Sequence, residues 1–130
     1  MKNTEIISNF EGGKLFTLSN IKSFSNLEWI PHKEFSGVAL KNLLTSSDTD
    51  NEISYHLVKI DPGCEIGIHI HKDSTEIHEV ICGIGVLTID DKEQRYFPGN
   101  ISVIPKKAEH KVRAGNDGLY LLAKFIPALV

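Results

Sequence analysis

Hydrophobic and polar positions alternate with a period of two over most of the chain after residue 50. Side chains on a β-strand point alternately to opposite faces, so this pattern predicts strands that are buried on one face. Glycine, proline, asparagine and aspartate mark the ends of these stretches, as expected for turns. We expect strands over residues 53–60, 65–71, 77–82, 101–104 and 119–126, and a hairpin over 85–97 that turns near Asp90.

The first fifty residues give a weaker pattern. Residues 5–7 and 14–18 fit short strands separated by two glycines, and residues 37–44 fit either a strand or a short helical turn. Residues 45–51 are a run of polar turn formers and predict a loop. Short strands with such regular punctuation are typical of an all-β sandwich or barrel, which is the fold class we expect.

Composition limits the size, location and partners of this protein. A chain of 130 residues has room for one hydrophobic core. The net charge of −3 argues against nucleic acid or an anionic membrane as the main partner. No apolar stretch approaches the roughly 18 residues of a membrane span, and the first residues lack the apolar core of a secretory signal. We therefore interpret the protein as cytoplasmic, with Cys64 and Cys82 as reduced thiols.

One segment combines residue types that bind metals. His69 and His71 are separated by one residue, so on a strand their side chains leave the same face roughly 7 Å apart. Glu76 follows five positions later. Two neutral imidazoles and a carboxylate are three of the ligands of a first-row transition-metal site. A fourth ligand must come from elsewhere in the chain, and His110 is the candidate.

The same segment resembles the first sequence motif of the cupins, which are small jelly-roll β-barrels. That motif reads Gly-x5-His-x-His-x(3,4)-Glu-x6-Gly. Every spacing agrees, and the matching residues are Gly63, His69, His71, Glu76 and Gly83.

The second cupin motif, Gly-x5-Pro-x-Gly-x2-His-x3-Asn, is matched less completely. Gly99, Pro105 and His110 fit it, whereas Lys107 replaces its second glycine and Ala114 its asparagine. A lysine at this turn either adopts a left-handed backbone conformation at some cost or belongs to a different turn.

The resemblance covers about residues 53–126 and implies a single jelly-roll β-barrel, also called a double-stranded β-helix, with an N-terminal extension. Residues 51–130 would form the barrel, and residues 1–50 would add strands or an extension that packs on it or on a partner subunit, within one structural domain. Small cupins commonly dimerise, so we expect a homodimer. Trp29, Ile30 and Phe35 are candidates for its apolar contact.

For the site, the resemblance implies that His69, His71, Glu76 and His110 bind one divalent metal inside the barrel, with one or two coordination positions open. Iron, manganese, nickel, zinc, cobalt and copper all suit imidazole and carboxylate ligands, so the sequence leaves the metal undetermined. The alternative is that these histidines lie on the surface of a strand.

His78 is the candidate catalytic residue. Counting by twos from Glu76 places His78 on the same face of the strand, and Glu79 on the opposite face, where it suits a salt bridge. An imidazole near a metal could act as a general acid or base, or replace Glu76 as a ligand. It could equally be a core histidine bonded to a neighbouring hydroxyl or carbonyl. We interpret His56 as a packed or rim histidine.

The fold does not decide the function, because cupins include dioxygenases, decarboxylases, isomerases, lyases and ligand sensors. We favour a metal-dependent enzyme of the dioxygenase, isomerase or lyase type that acts on a small polar or anionic metabolite. In it the metal would polarise a substrate oxygen or activate O₂, and His78 would move a proton. The alternatives are a non-catalytic module that binds or senses a small molecule, and a barrel that a metal merely stabilises. Basic residues that could attract an anionic substrate surround His110: Lys106, Lys107, Lys111 and Arg113.

Overall fold

A computed structural model describes residues 4–130. No helix among these residues is both long and apolar enough to cross a bilayer. The elements are α1 (Thr4–Glu11), β1 (Lys14–Phe16), β2 (Ile21–Ser23), a 3₁₀ helix (Phe24–Asn26), β3 (Ile30–Pro31), β4 (Val38–Leu44), α2 (Ser46–Thr49), β5 (Ser54–Ile60), β6 (Glu65–His69), β7 (Thr75–Ile89), β8 (Lys92–Tyr96), β9 (Ile101–Ile104) and β10 (His110–Ile126).

Two long antiparallel strands, β7 and β10, form the centre of the main sheet and pair along most of their length. The strand order is β3-β4-β5-β10-β7-β8, with β6 added to β10 and β9 added to β7. β1 and β2 form a separate two-stranded sheet. This confirms the predicted all-β jelly-roll fold. β3 and β4 precede residue 51 and nevertheless pair within the main sheet, so the first and second parts of the chain share one sheet.

Alternate residues of the central strands enter two different apolar layers, as the period of two predicts. Val58 and Leu121 belong to the inner core, whereas their neighbours Leu57 and Leu122 belong to a second cluster on the outer face. The N-terminal segment covers this outer face, because the side chains that pack against the cluster include Phe10, Phe24, Leu27 and Trp29.

The prediction of a strand over residues 5–7 is wrong, because these residues belong to α1. Ile7 is buried and Phe10 packs against the outer cluster. Three positions separate the two side chains, which puts them on one face of a helix and on opposite faces of a strand. A segment this short carries too few apolar residues for the sequence to distinguish the two periods.

Residues 115–118 form a bulge inside one continuous strand, although their sequence, Gly-Asn-Asp-Gly, is typical of a turn. β10 runs through it, and its pairing with β7 is interrupted between Ala114 and Leu119. Gly83 lies opposite with a φ of +85°, and a Cβ there would meet the carbonyl oxygen of Gly118 at 2.2 Å. Only glycine fits such a close approach of two backbones, so Gly83 continues β7 rather than ending it.

Two of the side chains expected at a subunit contact are used within the chain. The Trp29 ring packs 6.2 Å from that of Tyr120, measured between centroids, and Phe35 lies against Gly67 and His69. Ile30 is exposed. The homodimer stays a prediction.

Candidate metal centre

Four side chains that the sequence singles out converge at one place. His69 ends β6, His71 lies in the loop that follows, Glu76 is near the start of β7, and His110 is the first residue of β10. The antiparallel pairing of His110 with His69 brings the two motifs together. One nitrogen or oxygen atom from each of the four side chains lies within 4.8 Å of the others. The arrangement could hold a metal ion.

His71 reaches this cluster from a loop rather than from the predicted strand. β6 ends at His69, and the carbonyl of His71 accepts a hydrogen bond of 2.9 Å from the backbone N–H of Lys107. This bond ties the first motif to the turn of the second. The rings of His69 and His71 lie 4.9 Å apart at their centroids, nearly perpendicular to each other.

Lys107 occupies the glycine position of the second motif with a φ of +68°, so the turn keeps its left-handed conformation. This resolves the alternative left open by the sequence. A non-glycine residue pays roughly 1–2 kcal/mol for that conformation.

We expect Lys107→Gly to raise the free energy of unfolding by about 0.5–1 kcal/mol, because relief of the left-handed strain exceeds the added entropy of the unfolded chain. Lys106 is a matched control, since it is also exposed and has no positive φ. Lys106→Gly should lower the same free energy by about 0.5–1 kcal/mol. Urea unfolding of the wild type and both variants measures these changes in the free energy of unfolding. A loss of stability in both variants would contradict the proposal that the backbone of Lys107 is strained.

The hydrogen bonds of two histidines leave a nitrogen facing the centre of the cluster. Nδ1 of His69 lies 2.7 Å from the carbonyl oxygen of Gly67, and Nδ1 of His110 lies 3.0 Å from that of Ala108. A carbonyl only accepts, so each Nδ1 carries the proton and donates it. Nε2 is then the free atom of His69, and Nε2 of His110 lies 3.1 Å from Oε1 of Glu76. Backbone carbonyls commonly orient metal-binding histidines in this way.

Glu76 is the electrostatic centre of the cluster. Its side chain is 6% exposed, and imidazole nitrogens of His78, His110 and His71 lie 2.9, 3.1 and 3.5 Å from its oxygens. Burial by itself raises the pKa of Glu76, but the three imidazoles outweigh burial and hold it well below its usual range. The carboxylate is therefore charged at neutral pH.

The neighbouring histidines respond to burial in different ways. Burial lowers the pKa of His69 to about 4, and it also lowers the pKa of His71. Burial acts in the same direction on His110, but its hydrogen bonds to Glu76 and to the Ala108 carbonyl prevail and raise its pKa. Two imidazoles with lowered pKa values and a carboxylate are thus ready to bind a cation, whereas at His110 the raised pKa means that a metal has to compete with a proton.

His78 points into the barrel, as the count along the strand predicts, and both of its ring nitrogens are bonded. Nε2 lies 2.9 Å from Oε2 of Glu76, and Nδ1 lies 2.8 Å from the hydroxyl of Tyr96. Burial raises the pKa of Tyr96 well above its usual range, so this hydroxyl keeps its proton. The ring therefore lies between a hydroxyl and a carboxylate. Glu79 faces the other way and forms a salt bridge of 3.0 Å with Lys124, as predicted.

A cavity of about 410 Å³ opens beside the cluster. His69, His71, Glu76 and His78 line one side of it, while the His110 side chain is fully buried behind them. The volume lies toward the lower end of the range for small-molecule sites. The rest of the wall is mainly apolar, with side chains such as Leu40, Val58, Ile66, Leu121 and Phe125.

The basic residues around His110 do not line this cavity. Among the residues that the structure describes, its charged lining consists of Glu76 with Lys33 and Glu34 from the segment before β4. The sequence pattern assigned neither Asn42 nor Tyr96 to the site. Asn42 lines the cavity. Tyr96 does not line it but is hydrogen-bonded to His78, which does. Their positions depend on which strands are neighbours, and local spacing does not contain that information.

Comparison with models of protein families matches residues 56–123 to the model described as the cupin domain. Comparison with curated proteins found no match.

Several solved structures are similar to this chain. One is described as a predicted oxalate decarboxylase from Thermotoga maritima, with 26% identity and a TM-score of 0.71 over 78% of this chain and 91% of that one. KdgF from a Halomonas species has 21% identity and a TM-score of 0.67 over 77% and 87% of the two chains. The oxalate decarboxylase of Lactobacillus farciminis has 22% identity and a TM-score of 0.71 over 84% of this chain but 33% of its own. Identities near 20% indicate a shared fold only.

Proposed function

The chain belongs to the cupin family, and on that premise we propose that it is a metal-dependent enzyme of the dioxygenase, isomerase or lyase type. Its substrate is a small polar or anionic metabolite. The main support is that four potential ligand atoms lie together and that three of their four side chains open onto a cavity of metabolite size. A metal that only stabilised the barrel would not need such an opening.

In this proposal His69, His71, Glu76 and His110 hold one divalent transition metal. Their chemistry fits such an ion, because imidazole nitrogens and a carboxylate suit first-row metals and backbone carbonyls fix the orientation of two of the rings. When bound, the metal supplies Lewis-acid or redox chemistry to a substrate oxygen.

His78 remains the proposed catalytic residue. It lines the cavity beside Glu76, and the proton that Nε2 shares with that carboxylate is the one that His78 can give to a bound substrate and take back. The bond from Nε2 to Glu76 also holds that carboxylate in one orientation. We propose that His78 shuttles a proton for a substrate bound in the cavity.

A carboxylate is the substrate group that we favour. The mainly apolar wall lowers the local dielectric and so strengthens the attraction between a carboxylate and a cationic centre. The similar Thermotoga maritima protein, described as a predicted oxalate decarboxylase, points to the same class of acid.

We expect about one transition metal per chain in protein purified without added metal. His110→Ala should lose it, because this change removes a ligand that is fully buried. His78→Ala should keep the metal with an affinity reduced roughly 10- to 100-fold, as is typical for a residue that orients a ligand. His32→Ala serves as a control, since His32 lines the cavity outside the cluster. Elemental analysis of the four proteins, with circular dichroism to confirm folding, gives the result.

The identity of the metal then selects the assay. Iron would direct the work to O₂ uptake, and zinc, nickel or manganese to isomerase and lyase screens. If the folded wild-type protein takes up no metal on reconstitution, the proposed metal-dependent enzyme function is contradicted. A metabolite that shifts its melting temperature would then support the alternative of a binding or sensing module.

A further inference from the structure

One row of side chains on the inner face of the main sheet contains three polar residues, whereas the row beside it is entirely apolar. The register aligns Asn42 on β4 with His56 on β5, then with Ala123 on β10 and His78 on β7. The neighbouring row, two residues along each strand, consists of Leu40, Val58, Leu121 and Val80. The cavity thus has a second polar region, formed by Asn42 and His56, outside the metal-binding cluster.

A chain of hydrogen bonds fixes the orientation of this second region. The backbone N–H of Leu129 donates to Oγ of Ser54, at 2.9 Å, which leaves the Ser54 hydroxyl free to donate to Nε2 of His56, also at 2.9 Å. Nε2 then accepts, so the proton of the neutral ring lies on Nδ1. Nδ1 donates to Oδ1 of Asn42 at 2.8 Å.

The remaining group in this chain is the amide nitrogen of Asn42. No partner of this nitrogen is found among residues 4–130, and in that same range no buried side-chain nitrogen or oxygen lacks a partner. The nitrogen is therefore not enclosed by protein and reaches the cavity that Asn42 lines. It offers N–H groups to whatever occupies the cavity.

We propose that Asn42 determines specificity by donating a hydrogen bond to an oxygen at the far end of the substrate, and that His56 is its positioning residue. This inference rests on the proposed metal-dependent function and narrows its substrate class. The substrate carries a metal-binding carboxylate at one end, an apolar middle and a neutral oxygen acceptor, such as a ketone, at the other.

The wall between the two polar regions suits the apolar middle of such a molecule. Asn42 and His78 are three strands apart, which is about 14 Å along the curved sheet. Ala123 lies between them with a small side chain, and Phe125 and Leu121 flank it on β10. A purely polar metabolite would leave these apolar side chains without a complementary surface.

The test measures binding of straight-chain carboxylates to the zinc-loaded protein by calorimetry. Each acid from pentanoate to octanoate is compared with the keto acid of the same length whose ketone is at the penultimate carbon. For the best-fitting length we expect the keto acid to bind about five- to tenfold more tightly than the plain acid, the value of one net hydrogen bond. In Asn42→Leu the ratio of the two affinities, keto acid to plain acid, should fall to about one. His56→Leu should reduce it as well, because the amide is then no longer held.

Leu40→Ala is the matched control, since Leu40 is the next inward-facing residue of β4. It should weaken the binding of both acids by the same factor and leave the ratio of their affinities unchanged. A ratio near one at every length in the wild type, or an unchanged ratio in Asn42→Leu, would overturn the role of Asn42. Zinc content is measured on the same samples. Equal affinities with zinc in place refute only this inference, whereas a protein that binds no zinc refutes it together with the proposed function.

Discussion

Glu76→Gln should destabilise the metal-free protein by about 3 kcal/mol, whereas Glu79→Gln should cost less than about 1 kcal/mol. The two glutamates are three residues apart on β7 and face opposite sides of the sheet. Glu76 is 6% exposed and has three imidazoles within 3.5 Å, while Glu79 is 37% exposed and has one salt bridge, to Lys124. The same substitution thus compares a buried charge with a surface charge on one strand.

The physical reason lies in the partners that remain. His78 and His110 each direct Nε2 at a different oxygen of Glu76. Glutamine retains one oxygen and turns an NH₂ group toward the other histidine, so one buried imidazole loses its acceptor. The charge that raises the pKa of His110 is lost at the same time. Removal of one partner from a buried ionic cluster is among the more destabilising single changes.

Urea unfolding at neutral pH in the presence of a chelator measures both changes without a contribution from metal binding. Equal losses at the two positions would contradict the description of Glu76 as a buried, charged centre. A much smaller loss at Glu76 would mean that water enters the cluster and solvates its charges.

The sequence predicted the parts of the molecule in which local spacing carries the information. The alternation of hydrophobic and polar residues identified most of the strands. The spacing along the sequence of His69, His71, Glu76 and His110 identified residues that the structure brings together. The pairing of His110 with His69 follows from a jelly-roll order that the resemblance already implied.

The parts that the sequence missed depend on contacts between distant residues. Tyr96 contacts His78 across 18 positions, because the strands β7 and β8 form a hairpin that curls over the core. Asn42 and His56 join the cavity through the pairing of β4 with β5. Taken singly, each of these polar residues is ordinary in a strand. Only the pairing of the strands shows that they meet at the same cavity.

Acid should destabilise the protein through His56, by up to about 3 kcal/mol between pH 7 and pH 4. Burial lowers the pKa of His56 from 6.5 to about 4 in the folded protein, although the charge of Glu76 acts in the opposite direction. The unfolded chain takes up a proton near pH 6.5, and the folded protein does so only near pH 4. Between these values the unfolded state binds more protons, so the free energy of unfolding falls as the pH is lowered. Well above the unfolded pKa both states are neutral at this residue and it contributes no pH dependence.

Comparison of the wild type with His56→Gln isolates this effect, because a glutamine side chain does not titrate and the other buried histidines remain the same in both proteins. His69, whose pKa also lies near 4, then contributes equally to the two curves. Urea unfolding with a chelator at several pH values should show a stability difference that shrinks as the pH falls from about 7 to 4, since only the wild type loses the contribution of a neutral His56. Parallel curves would mean that His56 takes up a proton in the folded protein at its ordinary pKa. A charged His56 would then donate from both nitrogens, Ser54 would have to accept its hydrogen bond, and the chain of donors that orients Asn42 toward the cavity would lose its direction.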